Sequence, residues 1–249
     1  MKMHLWDDLK GHLEIPFRKY AYVKDSNGQH VSLYGDRLKK VSQYDKDDPT
    51  LHESDIPPMT RFLVDQYTDS DEVSTGHRVM FFDIEVEVTE GFPDVMKATN
   101  VITSIAAYDS TTEKYFTYCF DPHKRLQNYT KDDQTVEFYE TEYEMLNKFF
   151  QKYLEIRPTI VSGWNSDFFD IPYLYNRAVR VLGPEVANLL SPISEIGYSE
   201  FTKKHRIAGV SSMDYLLLYK QFTFTQQSSY RLDYIGDCLL YTSDAADDS

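Results

Sequence analysis

Cysteine is scarce in this sequence, and long apolar runs are missing. Only 2 of the 249 residues are cysteines, Cys119 and Cys238, which is too few for a disulfide framework or a cysteine zinc site. No apolar run approaches the roughly 18 residues of a membrane span, and no charged-then-apolar segment at the N-terminus indicates export. These absences predict an intracellular protein without a membrane segment.

Basic residues are also in deficit. The chain has 26 lysines and arginines against 40 aspartates and glutamates, which gives a formal net charge of −14. This balance argues against nucleic-acid binding, because contact with phosphates needs a basic surface. The objection does not extend to a metal site, however, since a bound metal ion brings positive charge to the carboxylates that hold it. With 41% hydrophobic residues, the chain can bury a core as one large domain or as a medium domain with a smaller one.

The last twelve residues, 238–249, resemble the translation of an adapter that is used in sequencing libraries. We therefore exclude them from the fold as an artefact. Cys119 is then the only native cysteine. We expect the gene to continue beyond Asp237.

A stretch of alternating residues from Phe81 to Val88 organises the rest of the chain. Successive side chains of an extended strand point to opposite faces. The apolar face then carries Phe82, Ile84, Val86 and Val88, and the opposite face carries Phe81, Asp83, Glu85 and Glu87. Two carboxylates two residues apart repel each other unless a cation lies between them, and hard divalent ions prefer such oxygen ligands. Asp-x-Glu alone is more typical of an ordinary half-exposed strand, so the motif needs partners elsewhere in the chain.

The patterns after this strand indicate an α/β fold. Two apolar runs, 101–108 and 115–120, predict an antiparallel meander with it. Apolar residues at helical spacing predict a helix over 142–155, which is followed by a short buried strand at 159–164 and a helix over 172–182. This order is the one expected of a mixed sheet of ribonuclease H type with flanking helices.

The residues before the central strand predict a small β-rich segment. Short strands at 20–23 and 29–33 flank Asn27-Gly28, and this dipeptide is the strongest short signal for a β-hairpin. Pro57-Pro58 suits the entry to a short helix, because proline is tolerated in the first helical turn.

A second acidic motif follows the strand at 159–164. The residues from Asn165 to Tyr173 leave the strand end and open a helix, so Asp170 can project a carboxylate from a loop that the sheet holds. The alternative is that Asp170 caps the helix that begins near Pro172. Both roles can coexist, but an aspartate of a metal site is expected to use its oxygens on the ion.

Together, the two motifs resemble the exonuclease region of family B DNA polymerases, most closely the replicative polymerases of tailed bacteriophages. The likeness rests on Phe82-Asp83-Ile84-Glu85-Val86 for the first motif. For the second motif it rests on Gly163-Trp164-Asn165 and on the run from Phe169-Asp170 through Arg177. It extends in family order over roughly residues 50 to 236. Asp-x-Glu alone is a weak signal, but the pair of motifs in this order is a specific one.

The resemblance implies an architecture, an activity and partners. An N-terminal domain segment would occupy 1–77, and a ribonuclease H-like 3′-to-5′ exonuclease domain would occupy 78–237. The implied activity is proofreading, in which four carboxylates hold two Mg²⁺ or Mn²⁺ ions around the scissile phosphate at a single-stranded 3′ end. DNA is the implied partner, together with a sliding clamp for a longer parent protein, in the cytoplasm of a host cell.

The resemblance also implies roles for five residues. Asp83 would bridge both ions, Glu85 would bind the ion that carries the attacking water, and Asp170 would serve the second ion. Asn165 would orient the end of the substrate, and Phe92 would pack against an unstacked base, a contact that tolerates any sequence. For Phe92, the alternative is an aromatic residue buried in a turn.

A third motif of the family is missing between Ser199 and Asp237. It consists of a tyrosine with an aspartate four positions later, and it would supply the fourth carboxylate. Asp214 and Asp233 have the wrong spacing, and we interpret them as structural or surface groups. We therefore expect the parent to be a DNA polymerase with proofreading, and this chain to be a piece of it with impaired nuclease activity.

Two other functions stay open at this point. One is a standalone 3′-to-5′ exonuclease of the same acidic superfamily, although such an enzyme has no need of the segment through Gly76. The other is a non-catalytic module that binds single strands. That module is expected to have replaced a carboxylate in one motif, whereas Asp83, Glu85 and Asp170 are all present.

Overall fold

The structure is a computed structural model that describes residues 1–7, 10–69, 75–89 and 91–237. The chain divides into two units, Met1–Ser74 and Thr75–Ser249. The residues interpreted as an adapter artefact, 238–249, lie outside the described part of the chain. That interpretation and the predicted domain assignments therefore stay predictions.

The first unit consists of two small sheets and one helix. The strands are β1 Lys2–Asp7, β2 Gly11–Pro16, β3 Ala21–Lys24, β4 His30–Val31, β5 Arg37–Val41 and β6 Leu51–His52, and the helix is α1 Pro58–Tyr67. β1 and β2 form a two-stranded sheet, and the other strands form a sheet in the order β4-β5-β3-β6. Pro58 occupies the first turn of α1, where its missing N–H costs no helical hydrogen bond.

The hairpin predicted at Asn27-Gly28 is wrong. The strand before this dipeptide, β3, pairs with β5, and β4 after it also pairs with β5 rather than with β3. Gly28 serves a different purpose, because a Cβ atom there would lie 2.3 Å from the backbone of Leu38. The glycine therefore allows a close approach of two backbones, a use that the dipeptide alone does not distinguish from a tight turn.

The second unit is built around a seven-stranded sheet. Its strands are β7 Val79–Val86, β8 Ile102–Asp109, β9 Lys114–Phe120, β10 Tyr129–Lys131, β11 Gln134–Tyr139, β12 Ile160–Gly163 and β15 Ser211–Asp214, and a separate hairpin is formed by β13 Ile196–Ser199 and β14 Lys204–Ile207. The helices are α2 Glu142–Ile156, α3 Asp170–Val181, α4 Pro184–Ala187 and α5 Tyr215–Phe222, with a 3-10 turn at Asn188–Leu190 and helical residues at 232–237.

The strand order β10-β11-β9-β8-β7-β12-β15 places β7 inside the sheet. The predicted meander is observed, because β7, β8 and β9 pair antiparallel in succession. On its other side β7 pairs parallel with β12, and β12 pairs parallel with β15. The sheet is therefore mixed, and the strands on which the two acidic motifs depend, β7 and β12, are neighbours.

Local signals explain the limits of α2. Thr141 caps its N-terminus by accepting a hydrogen bond from the Glu144 N–H, and the Thr141 hydroxyl donates to the Glu144 carboxylate. The helix ends where Arg157 adopts a left-handed conformation with a φ of 48° before Pro158. Its apolar face packs on the sheet, with Phe149 and Leu146 fully buried.

The alternation predicted for the central strand holds up to its end. Phe82 and Ile84 are 5% and 4% exposed, and they belong to the core between the sheet and its helices. The placement of Val88 on this apolar face is wrong, because β7 ends at Val86 and Val88 is 66% exposed. Among the described residues, no helix has the length and the apolar composition that a membrane span requires.

Candidate active site

β7 presents Asp83 and Glu85 on the face opposite the core. In the register with β8, Asp83 lies opposite Ala106 and Glu85 lies opposite Ser104. Both opposing side chains are small. Among the described residues, neither Asp83 nor Glu85 makes a hydrogen bond or an ion pair with another side chain. Both acids are exposed, and no basic side chain in the described part of the chain pairs with them.

A glycine at the end of β12 brings the second motif onto this strand. A Cβ atom on Gly163 would lie 2.6 Å from the carbonyl oxygen of Phe82 and 3.0 Å from the Cβ atom of Ser166. The chain then turns at Asn165, which has a φ of 64°, a left-handed conformation that asparagine tolerates better than most residues. The carbonyl oxygen of Asn165 accepts hydrogen bonds from the N–H groups of Phe168 and Phe169. This compact turn leads into α3.

Asp214 holds this turn from the neighbouring strand. It is 3% exposed at the end of β15, opposite Gly163 in the parallel register. Its carboxylate accepts hydrogen bonds from the N–H groups of Asn165 and Asp167, both at 3.1 Å. It also caps α5 by accepting from the N–H groups of Leu216 and Leu217. The surface interpretation of Asp214 is thus wrong and the structural one is correct.

Asp170 is the first residue of α3 and is 2% exposed. Its Oδ1 atom accepts a hydrogen bond from the Ile84 N–H at 3.0 Å, which fixes the start of the helix to the middle of β7. The interpretation of Asp170 as the helix cap is wrong, because the cap position is Phe169 and no side-chain cap hydrogen bond is formed. Ile84 and Asp170, which are 86 positions apart in sequence, are therefore in direct contact.

The acidic side chains interact electrostatically. The pKa of Asp170 is raised to about 7, first by burial and then by the charge of Asp83, while the hydrogen bond from the Ile84 N–H opposes both effects. Partial burial, followed by the charge of Glu85, raises the pKa of Asp83. Asp83 thus repels both Glu85 and Asp170, and a cation bound near Asp83 would relieve this repulsion.

The donor set fits hard divalent ions, but the three acids do not converge on one point. Their ligand atoms do not all lie within 4.8 Å of one another. Asp83 nevertheless interacts with Glu85 on one side and with Asp170 on the other. The three carboxylates offer only oxygen donors, and hard divalent ions prefer such ligands.

Phe92 lies on the segment between β7 and β8 and is 81% exposed. Its ring centroid is 5.3 Å from that of Phe169, the residue directly before Asp170, and the two rings are tilted by 54°. The alternative of a buried turn aromatic is therefore wrong. One face of the ring contacts the second motif, and the remainder is open to solvent.

A buried ion pair holds the C-terminal end of the segment between β7 and β8. Arg177 on α3 donates to Glu142 on α2 through Nε at 2.8 Å and also through its Nη2 atom. Its Nη1 atom donates to the carbonyl oxygens of Ala98 and Thr99. Glu142 in turn accepts from the Ile102 N–H at 2.8 Å, so one pair connects both helices with the start of β8.

The family comparison agrees with this geometry. The sequence model of the family described as DNA polymerase family B, exonuclease domain, matches residues 64–235, which is more than half of the chain. This chain belongs to that family. The predicted α/β, ribonuclease H-like fold with a mixed sheet and flanking helices is thereby confirmed, and exonuclease domains of this family are metal-dependent nucleases.

Several curated relatives are polymerases of phages and archaea. The DNA-directed DNA polymerase of Escherichia phage RB69 is 32% identical over 208 residues, which cover 71% of this chain and 23% of the phage protein. That of Enterobacteria phage T4 is 32% identical over 182 residues, which cover 61% and 20%. DNA polymerase 1 of Saccharolobus solfataricus is 29% identical over 200 residues, which cover 78% and 20%. The chain thus spans less than a quarter of each of these relatives.

The sequence does not reveal the contacts of two residues that build this exonuclease domain. For Asp214 the structural interpretation is correct, and its position at the boundary between a strand and a helix, which is typical of a cap, would have indicated the contact with α5. Arg177 closes the second motif, but the motif assigns it no partner, and Glu142 is 35 residues away in sequence. A buried arginine in an otherwise amphipathic helix is the signal that would have indicated such a partner.

Proposed function

We propose that this chain is the 3′-to-5′ exonuclease region of a larger family B DNA polymerase with proofreading activity. The observation that carries the proposal is the contact between the two acidic motifs, in which Asp170 accepts from the Ile84 N–H between Asp83 and Glu85. The relatives named above are DNA polymerases of which this chain matches only a part. A longer parent would contribute the polymerase activity, the primer-template contacts and a binding site for a sliding clamp, in the cytoplasm of its host.

In this proposal, the carboxylates hold Mg²⁺ or Mn²⁺, with Asp83 shared between two ions, Glu85 on one and Asp170 on the other. Two bound ions would lower the pKa of an attacking water and neutralise the leaving 3′ oxygen. Asp83 and Glu85 are free of basic partners, so ion binding breaks no ion pair within the described residues. Asp170 uses one oxygen on the Ile84 N–H, which orients the other oxygen.

The substrate contacts in this proposal come from the two segments beside the acids. Phe92 offers an exposed aromatic face on which an unpaired base can stack, and such stacking does not depend on base identity. Asn165, fixed by the hydrogen bond from its N–H to Asp214, would orient the terminal nucleotide. A single-stranded 3′ end is therefore the substrate that the site fits best.

A nuclease assay with Mg²⁺ or Mn²⁺ on single-stranded DNA tests the proposal. We expect slow removal of 3′ nucleotides, because no tyrosine between Ser199 and Asp237 has an aspartate four positions later that would supply a fourth carboxylate. Asp83→Asn should abolish the remaining activity. Glu185→Gln, which changes an exposed acid on α4, should leave it unchanged and serves as the matched control.

The outcomes separate the alternatives. Robust digestion that depends on Asp83 would show that this chain is a complete nuclease and would favour the standalone enzyme. Single-strand binding that is insensitive both to divalent ions and to Asp83→Asn would favour the non-catalytic module and contradict the proposal.

A further inference from the structure

The hairpin of β1 and β2 carries a second cluster of metal-binding side chains, far in sequence from the acidic site. Alternation gives this hairpin two different faces. The less exposed face is apolar and consists of Met3, Leu5, Leu13 and Ile15. The opposite face carries His4, His12 and Glu14, which are all exposed.

The register of the hairpin brings these three side chains together. His4 lies opposite Glu14, and His12 lies opposite Trp6, the next residue of β1 on the same face. The Nδ1 atom of His4 and the Nε2 atom of His12 are 3.0 Å apart, and the ligand atoms of all three residues lie within 4.8 Å of one another. Within the described ranges, no other trio of histidine, cysteine or acidic side chains meets this spacing.

This spacing is close to the one that a shared ion requires. Two nitrogens bound to one tetrahedral Zn²⁺ at about 2.0–2.1 Å stand about 3.4 Å apart. The imidazole nitrogens of His4 and His12 therefore need to separate by only a few tenths of an ångström to admit the ion. A carboxylate directly across the strand pair from His4 completes a His₂Glu donor set.

We propose that His4, His12 and Glu14 form a binding site for a nitrogen-preferring divalent transition metal such as Zn²⁺. The ligands are Nδ1 of His4, Nε2 of His12 and a carboxylate oxygen of Glu14, with water in the fourth position. Two imidazoles select Zn²⁺, Cu²⁺ or Ni²⁺ over Mg²⁺, whereas the oxygen-only acids around Asp83 have the opposite preference. The two sites thus take different classes of ion.

Lys2 is the charged group beside this site. It forms an ion pair with Glu14, and the two side chains are 64% and 42% exposed. An exposed pair of this kind contributes little to stability, so the flexible lysine can turn towards solvent when a cation binds.

A metal ion in this position would act as a clip between the strands. A two-stranded sheet is only marginally stable by itself. An ion that binds the paired strands, and not the separated ones, shifts the equilibrium towards the paired state. Metal binding is therefore expected to stabilise β1 and β2 and to leave the acidic site unchanged.

Zinc titration of the full 249-residue chain tests this proposal. The calorimetric titration is done in excess Mg²⁺, which competes for sites with oxygen ligands. We expect one Zn²⁺ per chain, and His12→Asn should weaken the binding by about tenfold or more. His30→Asn changes another exposed histidine of the same unit and should leave the affinity unchanged. Absence of saturable binding, or binding that is insensitive to His12→Asn, would overturn the proposal.

Hydrogen exchange locates the bound ion. Amide exchange in β1 and β2 should slow on addition of Zn²⁺ in the parent chain but not in His12→Asn. Asp83→Asn should leave both the zinc affinity and this protection intact, so the result does not depend on the proposed nuclease function. Loss of zinc binding in Asp83→Asn, with His12→Asn unaffected, would place the ion at the acidic site and exclude the hairpin.

Discussion

Asp170 and Asp214 are equally buried, at 2% and 3% exposure, but the protein compensates their charges differently. Asp214 accepts hydrogen bonds from four backbone N–H groups, so oriented dipoles of the chain stabilise its carboxylate. Asp170 accepts from the Ile84 N–H and faces the like charge of Asp83. The comparison shows that burial alone does not distinguish a structural acid from one that suits a cation. The two kinds of acid differ in how many hydrogen-bond donors the chain supplies to the carboxylate.

Glu142 extends the comparison to a third buried acid. It is 9% exposed, and its charge is balanced by the guanidinium of Arg177 and by the Ile102 N–H. Asp214 and Glu142 thus connect elements of the fold, and Asp170 is the acid of the three that no strong donor set satisfies. Substitutions that disturb these three acids or their partners should therefore change the free energy of unfolding by different amounts and in different directions.

Loss of the Arg177 side chain is expected to have the largest effect. Arg177→Met leaves the Glu142 carboxylate buried without its cation, which should lower the free energy of unfolding by about 3–5 kcal/mol. Chemical denaturation of the purified chain measures this change. Lys124→Met breaks a pair with Glu140 in which the side chains are 68% and 56% exposed, and it should cost less than about 1 kcal/mol. Equal losses in the two variants would contradict the structural role of the buried pair.

Removal of the Asp214 carboxylate should have the second-largest effect on the free energy of unfolding. Asp214→Ala uncaps α5 and leaves the N–H groups of Asn165 and Asp167 without their acceptor, at a cost of about 2–4 kcal/mol in unfolding free energy. Asp214→Asn keeps one acceptor oxygen and should lose less. Thermal and chemical unfolding of both variants provide the measurement. A neutral effect of the alanine variant would show that other groups position the second motif.

Asp170→Asn should raise the free energy of unfolding when divalent ions are absent, whereas the two preceding substitutions lower it. The pKa of Asp170 is raised to about 7 in the folded state, above the ordinary value of about 4 in the unfolded chain. The stability that this group contributes is therefore fully present below about pH 4 and is lost as the pH rises through about 7. Relative to the parent, Asp170→Asn should be more stable at pH 8 by roughly 1–3 kcal/mol.

The pH dependence of this difference is the measurement. Unfolding of the parent and of Asp170→Asn is compared at pH 5 and pH 8 in the presence of a chelator, and the gap in favour of the variant should grow with pH. Added Mg²⁺ or Mn²⁺ should narrow the gap by stabilising only the parent. A gap that is independent of pH, or a parent that divalent ions do not stabilise, would contradict the cation-binding role proposed for Asp170.

Several features were predictable from local sequence signals, and several were not. Strict alternation identified the acidic face of Asp83 and Glu85, and helical spacing of apolar residues identified α2. The same kind of reasoning failed at Asn27-Gly28, because a dipeptide does not reveal whether glycine serves a turn or a close backbone contact. β10 and β11 were also missed, and β11 enters the sheet by parallel pairing with β9.

The sequence by itself determined which residue types alternate along β7, which residues begin and end the helices, and which family motifs the chain contains. These properties follow from periodicity and from neighbouring residues, which act over a few positions. Tertiary structure alone decided that Asp170 contacts β7 and that Asp214 holds the turn at Asn165, because these contacts join residues that are 86 and 49 positions apart. Such contacts depend on strand order and register, and one segment of sequence cannot specify where another segment packs against it.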